Sequence, residues 1–398
     1  MPSESMPERV AIQFGAGNIG RGFMAELFDR SGYRTVFVDV DPQLVEALNR
    51  RGAYPVHHIT NEGDEPVTVR HVSAIDGRDA GAVTDAVAEA DLVCTAVGVR
   101  VLPALAPAIA GGIARRFARG DASPLNVITC ENLVGAGEYL KGLVWQALER
   151  LAADDPSAAF SSCEFNRRFG FVEAVVSRMV PIVPDNVHER DPLWIACEPY
   201  ARLPVDGRAF RGEVPAIVGL EPVDSVLAYQ RRKLATHNMS HAVCAYLGYQ
   251  AGHEFIWQAV DDPAIAPVVR GAMAETGRAL VARFGFDPDA QHAHAEDVLA
   301  RYRNRALGDQ VRRVGADPLR KLGPQDRLIG SARLCLEEGV DPAHVVVGIR
   351  AALAYDHPDD PSAVRLQEML RTKGRDHGLR EVCGLESDDP LYARLAED

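Results

Sequence analysis

The run Val10-Ala-Ile-Gln-Phe-Gly-Ala-Gly-Asn-Ile-Gly-Arg-Gly22 places glycines at 15, 17 and 20 between a short apolar stretch and a helix-like one. That order of strand, glycine turn and helix suits a dinucleotide. Gly15 permits the tight turn, Gly17 lets the backbone approach a pyrophosphate, and Gly20 lets the helix pack closely on the strand. Free N–H groups at the helix start would face the phosphate charge. A second apolar run, Thr35-Val-Phe-Val-Asp-Val40, carries an acid 19 positions after Gly20. A carboxylate at that strand tip accepts hydrogen bonds from a ribose and repels a 2′-phosphate, so Asp39 selects NAD over NADP. Asp41 is near enough to be the alternative.

A second group of chemically capable residues lies in Ser225-Val-Leu-Ala-Tyr-Gln-Arg-Arg-Lys-Leu-Ala-Thr-His-Asn-Met-Ser-His241. Lys233, Asn238 and His241 stand at i, i+5 and i+8. Read as an α-helix, they fall within an arc of roughly 140° and can line one side of a cleft. Taken alone, the segment is more readily read as a charged, solvated helix face.

The elements that must position these residues follow from the pattern of the chain. Asp91-Leu-Val-Cys-Thr-Ala-Val-Gly98 and Leu125-Asn-Val-Ile-Thr-Cys-Glu-Asn132 are continuous apolar runs ending in small or polar residues, with an alanine-rich helix from about Leu102 to Phe117 between them. Such strands belong to a parallel sheet covered on both faces, and ligands sit at the carboxyl ends of its strands. Thr95–Gly98 and Glu131-Asn132 are thereby placed beside the cofactor. The texture changes around 180–192, with prolines at 181, 184 and 192, and a short β-type insertion is expected to about Gly219. From Val223 onward apolar residues recur at helical spacing. The expected fold is α/β, a Rossmann-type doubly wound parallel sheet over 1–200 followed by a mostly α-helical domain over 201–398.

With 398 residues, 47% of them hydrophobic and 25% charged, the chain has an ordinary globular composition. Its formal net charge of −13 argues against nucleic acid or an anionic membrane as partner. No apolar run is long enough to span a bilayer. Residues 1–8 are acidic and proline-bearing, unlike a signal peptide, and read as a disordered extension. Seven widely spaced cysteines without a Cys-x-x-Cys pair read as reduced thiols in a cytoplasmic protein. His237 and His241 lack an intervening Glu. His292, His294 and Glu296, read as a polar loop after Pro288, and His57-His58 do not supply zinc spacing either, so no metal is expected.

The motifs resemble the polyol-specific long-chain dehydrogenase family over nearly the whole chain, from about residue 9. Phe14-Gly-Ala-Gly-Asn-Ile-Gly-Arg-Gly22, Thr95-Ala-Val-Gly98, Glu131-Asn132 and Pro318-Leu-Arg-Lys-Leu322 match it, and Lys233, Asn238 and His241 meet its signature of Lys, four residues, Asn, two residues, His. The resemblance implies cofactor contacts from Phe14, Gly15, Ala16, Gly17, Asn18, Ile19, Gly20, Asp39, Thr95 and Val97. It implies a reversible, metal-independent hydride transfer between D-mannitol 1-phosphate and D-fructose 6-phosphate with NAD. Lys233 would be the acid/base, Asn238 and Asn132 donors to the reacting oxygen, and His241 an orienting partner. Arg231, Arg232, Arg320 and Lys321 are the candidates to clamp the phosphate. Two positions depart from the pattern: Ser177 stands where an Asp is usual before the Arg, and Asn304-Arg305 replaces an Asn-Pro step. Other readings are a relative acting on free mannitol or a hexuronate, and a catalytically silent nicotinamide sensor. A monomer or a homodimer is compatible with the pattern.

Overall fold

The computed structural model describes residues 9–154, 161–181 and 185–396; the expected disordered extension at 1–8 and Pro184 of the proline-rich stretch lie outside the described residues. Contacts divide the chain into two compact units, Met1–Leu227 and Ala228–Asp398. The first extends past the expected boundary at residue 200. The reason is local pairing: the late strands at Leu203–Asp206 and Leu220–Val223 pair with each other, and Val205 bridges Ala174 at the end of the main sheet.

The strands of the first unit are β1 (Arg9–Phe14), β2 (Tyr33–Asp39), β3 (Tyr54–Ile59), β4 (Asp64–Val69), β5 (Val72–Asp76), β6 (Leu92–Thr95), β7 (Leu125–Thr129), β8 (Phe169–Glu173), β9 (Ile195–Cys197), β10 (Leu203–Asp206) and β11 (Leu220–Val223). Six form a sheet in the order β5-β2-β1-β6-β7-β8, every pair parallel. This is the doubly wound order that switches direction beside the first strand. Alternation decides which side each residue fills. Ile12 and Phe14 of β1 face a core with Val83, Val87, Ile109 and Ile113, whereas Ala11 faces Phe23, Leu27 and Phe28. The register aligns Phe14 with Val38 and with Thr95, Thr95 with Thr129, and Thr129 with Glu173. The carboxyl ends of five strands therefore lie along one edge.

A smaller sheet, β4-β3-β9, was not foreseen in the sequence; its β3–β4 hairpin is antiparallel and β9 joins in parallel. The second unit is helical, joined by short turns and one isolated bridge, Phe255 to Gln310. Helix Met239–Gln250 is buried almost all round, including Met239, Val243, Cys244 and Tyr246, which marks it as the centre of that unit. Among the described residues no helix is long and apolar enough to cross a membrane.

Candidate active site

The turn after β1 has the geometry its glycines require. Gly15 has φ +88° and donates to the Val38 carbonyl at 2.9 Å, closing the turn onto β2. A Cβ on Gly20 would lie 2.0 Å from the Gly15 carbonyl oxygen, so only glycine lets the helix start this close to the strand. A Cβ on Gly17 would meet nothing within 4 Å, and Gly17 is exposed. Open space at that glycine, flanked by partly buried Asn18 and Ile19, fits a pyrophosphate. Phe14 and Ala16 are buried and shape the turn from beneath.

Asp39 holds this turn in place. Its Oδ2 accepts from the Ala16 N–H at 2.6 Å and its Oδ1 from the Asp41 N–H at 3.0 Å. Each oxygen keeps a further lone pair for a ribose hydroxyl. Asp41, the alternative acid, is engaged elsewhere: it caps helix Pro42–Arg51 by accepting from the Gln43 and Leu44 N–H groups.

At the neighbouring strand ends the two acids act on backbone. Glu131 accepts from the Val97 N–H at 3.0 Å and the Gly98 N–H at 2.8 Å, buckling the loop after β6 to the loop after β7. Glu173 accepts from Gly135 at 2.7 Å and Ala136 at 3.2 Å, at the start of helix Ala136–Asp154. Asn132, between these anchored points, is exposed. Thr95 is fully buried with an unpaired hydroxyl, so it gives the strand end its backbone and presents no side chain at the surface.

The helix leaving the glycine turn begins with a π-helical stretch, Gly20–Met24, before the α-helix Ala25–Arg30. A π-turn displaces the regular backbone ladder, and side chains satisfy its carbonyls. Tyr54 Oη donates to the Arg21 carbonyl at 2.8 Å, and Arg178 Nη1 donates to the Gly22 carbonyl at 2.9 Å. Arg178, the residue after Ser177, also meets Glu26 at 2.6 Å, and His58 reaches the same carboxylate at 2.8 Å. Burial pushes the Glu26 carboxyl up, but His58 and Arg178 reverse this and bring it to about 2. Glu26, His58 and Cys197 place ligand-type atoms within 4.8 Å of one another, a grouping not read from the sequence. The Arg178 guanidinium is the cation already seated there, so the donor set does not suit a metal ion.

In the second unit the lysine segment is not one regular α-helix. Val226–Arg232 is α-helical, Lys233–Asn238 is π-helical, and Met239–Gln250 resumes the α-helix. A π-turn takes more residues to close, so Asn238 lies more nearly above Lys233 than α geometry allows, and the arc of the three groups narrows. Here too side chains meet the displaced carbonyls: Ser240 Oγ donates to Thr236 at 2.6 Å, and Tyr302 Oη donates to His237 at 2.6 Å.

Lys233 forms no ion pair or hydrogen bond among the described residues. Burial, then the charges of Arg327 and Arg301, lower its ammonium to about 8. His241 Nε2 lies 2.7 Å from Asp309 Oδ2, and its ring stacks on Tyr302 with centroids 4.7 Å apart. Burial raises the Asp309 carboxyl, but His241 and Arg313 outweigh it and hold it below its ordinary value. That fixed carboxylate sets the orientation of His241. His237 is buried beside this group, its proton affinity lowered by burial and then by Arg301, His241 and Lys233.

The four clamp candidates separate. Arg232 is tied to Gln291 at 2.8 Å and to the Ala290 carbonyl at 2.9 Å. Arg320 is exposed and paired with Asp317 at 2.8 Å. Arg231 is partly buried. Lys321 is 4% exposed, and burial followed by Arg327 and Arg320 lowers it to about 7 against the opposing pull of Asp317 and Asp326. Arg327, unmarked in the sequence reading, thus acts on both Lys233 and Lys321; its place in the basic stretch Pro318–Arg327 is the one signal that could have drawn attention to it. The histidine cluster is corrected. His292, His294 and Glu296 lie on helix Pro288–Tyr302, which Asp287 caps at Ala290, and Glu296 pairs with Arg270. Helical spacing turns His294 away from the other two. Asn304 caps a short turn, Arg305–Leu307, through the Ala306 N–H at 3.2 Å.

The doubly wound sheet with its glycine turn is of the dinucleotide-binding class, here followed by a helical unit. Residues 9–219 match the mannitol dehydrogenase Rossmann domain and residues 225–385 the mannitol dehydrogenase C-terminal domain. The chain belongs to the mannitol dehydrogenase family. It is 42% identical over 388 residues to the mannitol-1-phosphate 5-dehydrogenase of Brevibacillus brevis, covering 98% of this chain and 97% of that one. Two solved structures share the fold. The Pseudomonas fluorescens mannitol 2-dehydrogenase complex with NAD and D-mannitol is 18% identical, with a TM-score of 0.72 over 98% of this chain and 90% of its own. A D-sorbitol dehydrogenase in substrate-free form is 16% identical, with a TM-score of 0.68 over 93% of this chain and 97% of its own.

Proposed function

We propose that the protein interconverts D-mannitol 1-phosphate and D-fructose 6-phosphate with NAD, using Lys233 as the proton-transfer group. The near full-length similarity to the Brevibacillus brevis enzyme supports the substrate pair. The observation that carries the chemistry is Lys233 itself, unpaired on a π-turn with an ammonium lowered to about 8. NAD, which the glycine turn and Asp39 would hold, would supply the acceptor for the hydride of the alcohol carbon. Lys233 Nζ accepts the hydroxyl proton during oxidation, and in the reverse direction its ammonium returns a proton to the forming alkoxide. Asn238 and Asn132 donate to the oxygen whose charge changes, and each such donor typically contributes ~2.7–4 kcal/mol. His241, held by Asp309, orients a substrate hydroxyl.

Lys321, with Arg231, is the proposed anchor for the phosphate. A dianionic phosphate favours its ammonium form and offsets the burial that otherwise disfavours it. Asp39 is the proposed ribose partner and the residue that favours NAD.

The test is Lys233→Ala. Turnover falls by orders of magnitude while NADH affinity, followed by fluorescence titration, changes little. Near-normal turnover overturns the mechanism.

A further inference from the structure

Helices Ala266–Phe284 and Pro288–Tyr302 enclose a pocket of about 600 Å³, within the size range of small-molecule sites. Its walls are apolar, from Met273, Gly277 and Val281 on one helix and Pro288, Ala295 and Leu299 on the other. At its rim Glu296 is neutralised by Arg270. Arg278 is exposed there and forms no ion pair or hydrogen bond among the described residues, which leaves an unbalanced positive charge beside an apolar slot. Gln291 lines the pocket too and is 3% exposed. Its amide is engaged at both ends: Oε1 accepts from Arg232 Nε at 2.8 Å, and Nε2 donates to Thr236 Oγ1 at 3.1 Å. Arg232 immediately precedes Lys233, and Thr236 lies within the same π-turn.

We propose that this pocket is a second ligand site, taking an amphiphilic anion whose apolar body lies between the helices and whose carboxylate, sulfonate or phosphate head meets Arg278. A ligand seated there presses on Gln291, and Gln291 carries the displacement to the lysine turn. The coupling rests on Lys233 being the proton-transfer group; the binding does not.

The probe is 8-anilinonaphthalene-1-sulfonate, titrated by fluorescence into the full chain with NAD saturating so that the dinucleotide turn is not free to take it. Saturable one-to-one binding is expected, displaced by decanoate, with turnover reduced at least twofold at saturation. Arg278→Glu weakens binding at least tenfold with unchanged turnover without probe, and Ala295→Phe fills the slot and abolishes binding. Binding that survives Ala295→Phe overturns the site, as does light scattering that shows a dimer dissociated by that substitution, since a second copy then covers the groove. Binding without any effect on turnover overturns the coupling. If the wild-type chain turns over no sugar phosphate, the proposed function fails while the binding result stands.

Discussion

A lysine ammonium is an ordinary surface charge until its surroundings make the neutral amine accessible. For Lys233 those surroundings are burial and the charges of Arg327 and Arg301, which bring it to about 8. The sign of the pH dependence follows. With Lys233 as the proposed proton-transfer group, oxidation needs its neutral amine, so kcat/KM in that direction rises as pH passes through about 8 and then levels; reduction needs the ammonium and falls over the same range. Stopped-flow rates of hydride transfer in both directions check this, and parallel profiles would contradict it. The same reasoning applies to Lys321, lowered to about 7. Losing one charge-assisted contact to phosphate costs ~1.5–3 kcal/mol, roughly 10–150-fold. Lys321→Gln therefore raises KM for fructose 6-phosphate by about that factor and alters kcat less, in steady-state assays. The types and spacing of Lys233, Asn238 and His241 were legible in the sequence. Their electrostatic setting was not, because Arg301 and Arg327 reach it through folding and carry no local motif. Asp39 was legible as a strand-tip acid. Its backbone hydrogen bonds to Ala16 and Asp41 depend on a turn that exists only once β1 and β2 pair.

The two π-turns, Gly20–Met24 and Lys233–Asn238, are the elements that an α-helical reading could not supply. Periodicity locates a helix by its apolar face, and one displaced turn within a long helix leaves that face almost unchanged. What stabilises them comes from distant sequence: Tyr54 and Arg178 for the first, Tyr302 for the second, with Ser240 close by. The order of strand, glycine turn and helix was legible, and the glycines separate by geometry. Gly20→Ala forces its Cβ against the Gly15 carbonyl, whereas the Cβ of Gly17→Ala meets no protein atom. Gly20→Ala accordingly lowers the melting temperature and NADH affinity together. Gly17→Ala keeps the melting temperature and loses affinity alone. Calorimetry and NADH titration separate the two outcomes, and a fully stable Gly20→Ala that binds NADH normally would contradict this account of the turn.

For the whole molecule, the doubly wound sheet and the helical second unit were both legible, since continuous apolar strands and helical spacing alternate in the first half and helical spacing alone remains in the second. The extent of the first unit was not. β10 and β11 are four residues each, and their pairing with one another, the bridge to Ala174 and the packing of Leu203 and Val205 against Ala11 and Leu27 assign them to that unit. The net charge bears on large partners and leaves a small anionic substrate open: in a chain of formal charge −13, Arg327 still lies within electrostatic range of both Lys233 and Lys321. A local cationic site of this kind outweighs the global field at short range. Family membership and fold leave the substrate to the site, and the proposed phosphate anchor calls for an anionic one. The most direct measurement is NADH oxidation followed at 340 nm with fructose 6-phosphate and, in parallel, fructose. Turnover with the phosphate and little or none with the free sugar is the predicted result. Turnover with fructose equal to that with its phosphate would contradict it.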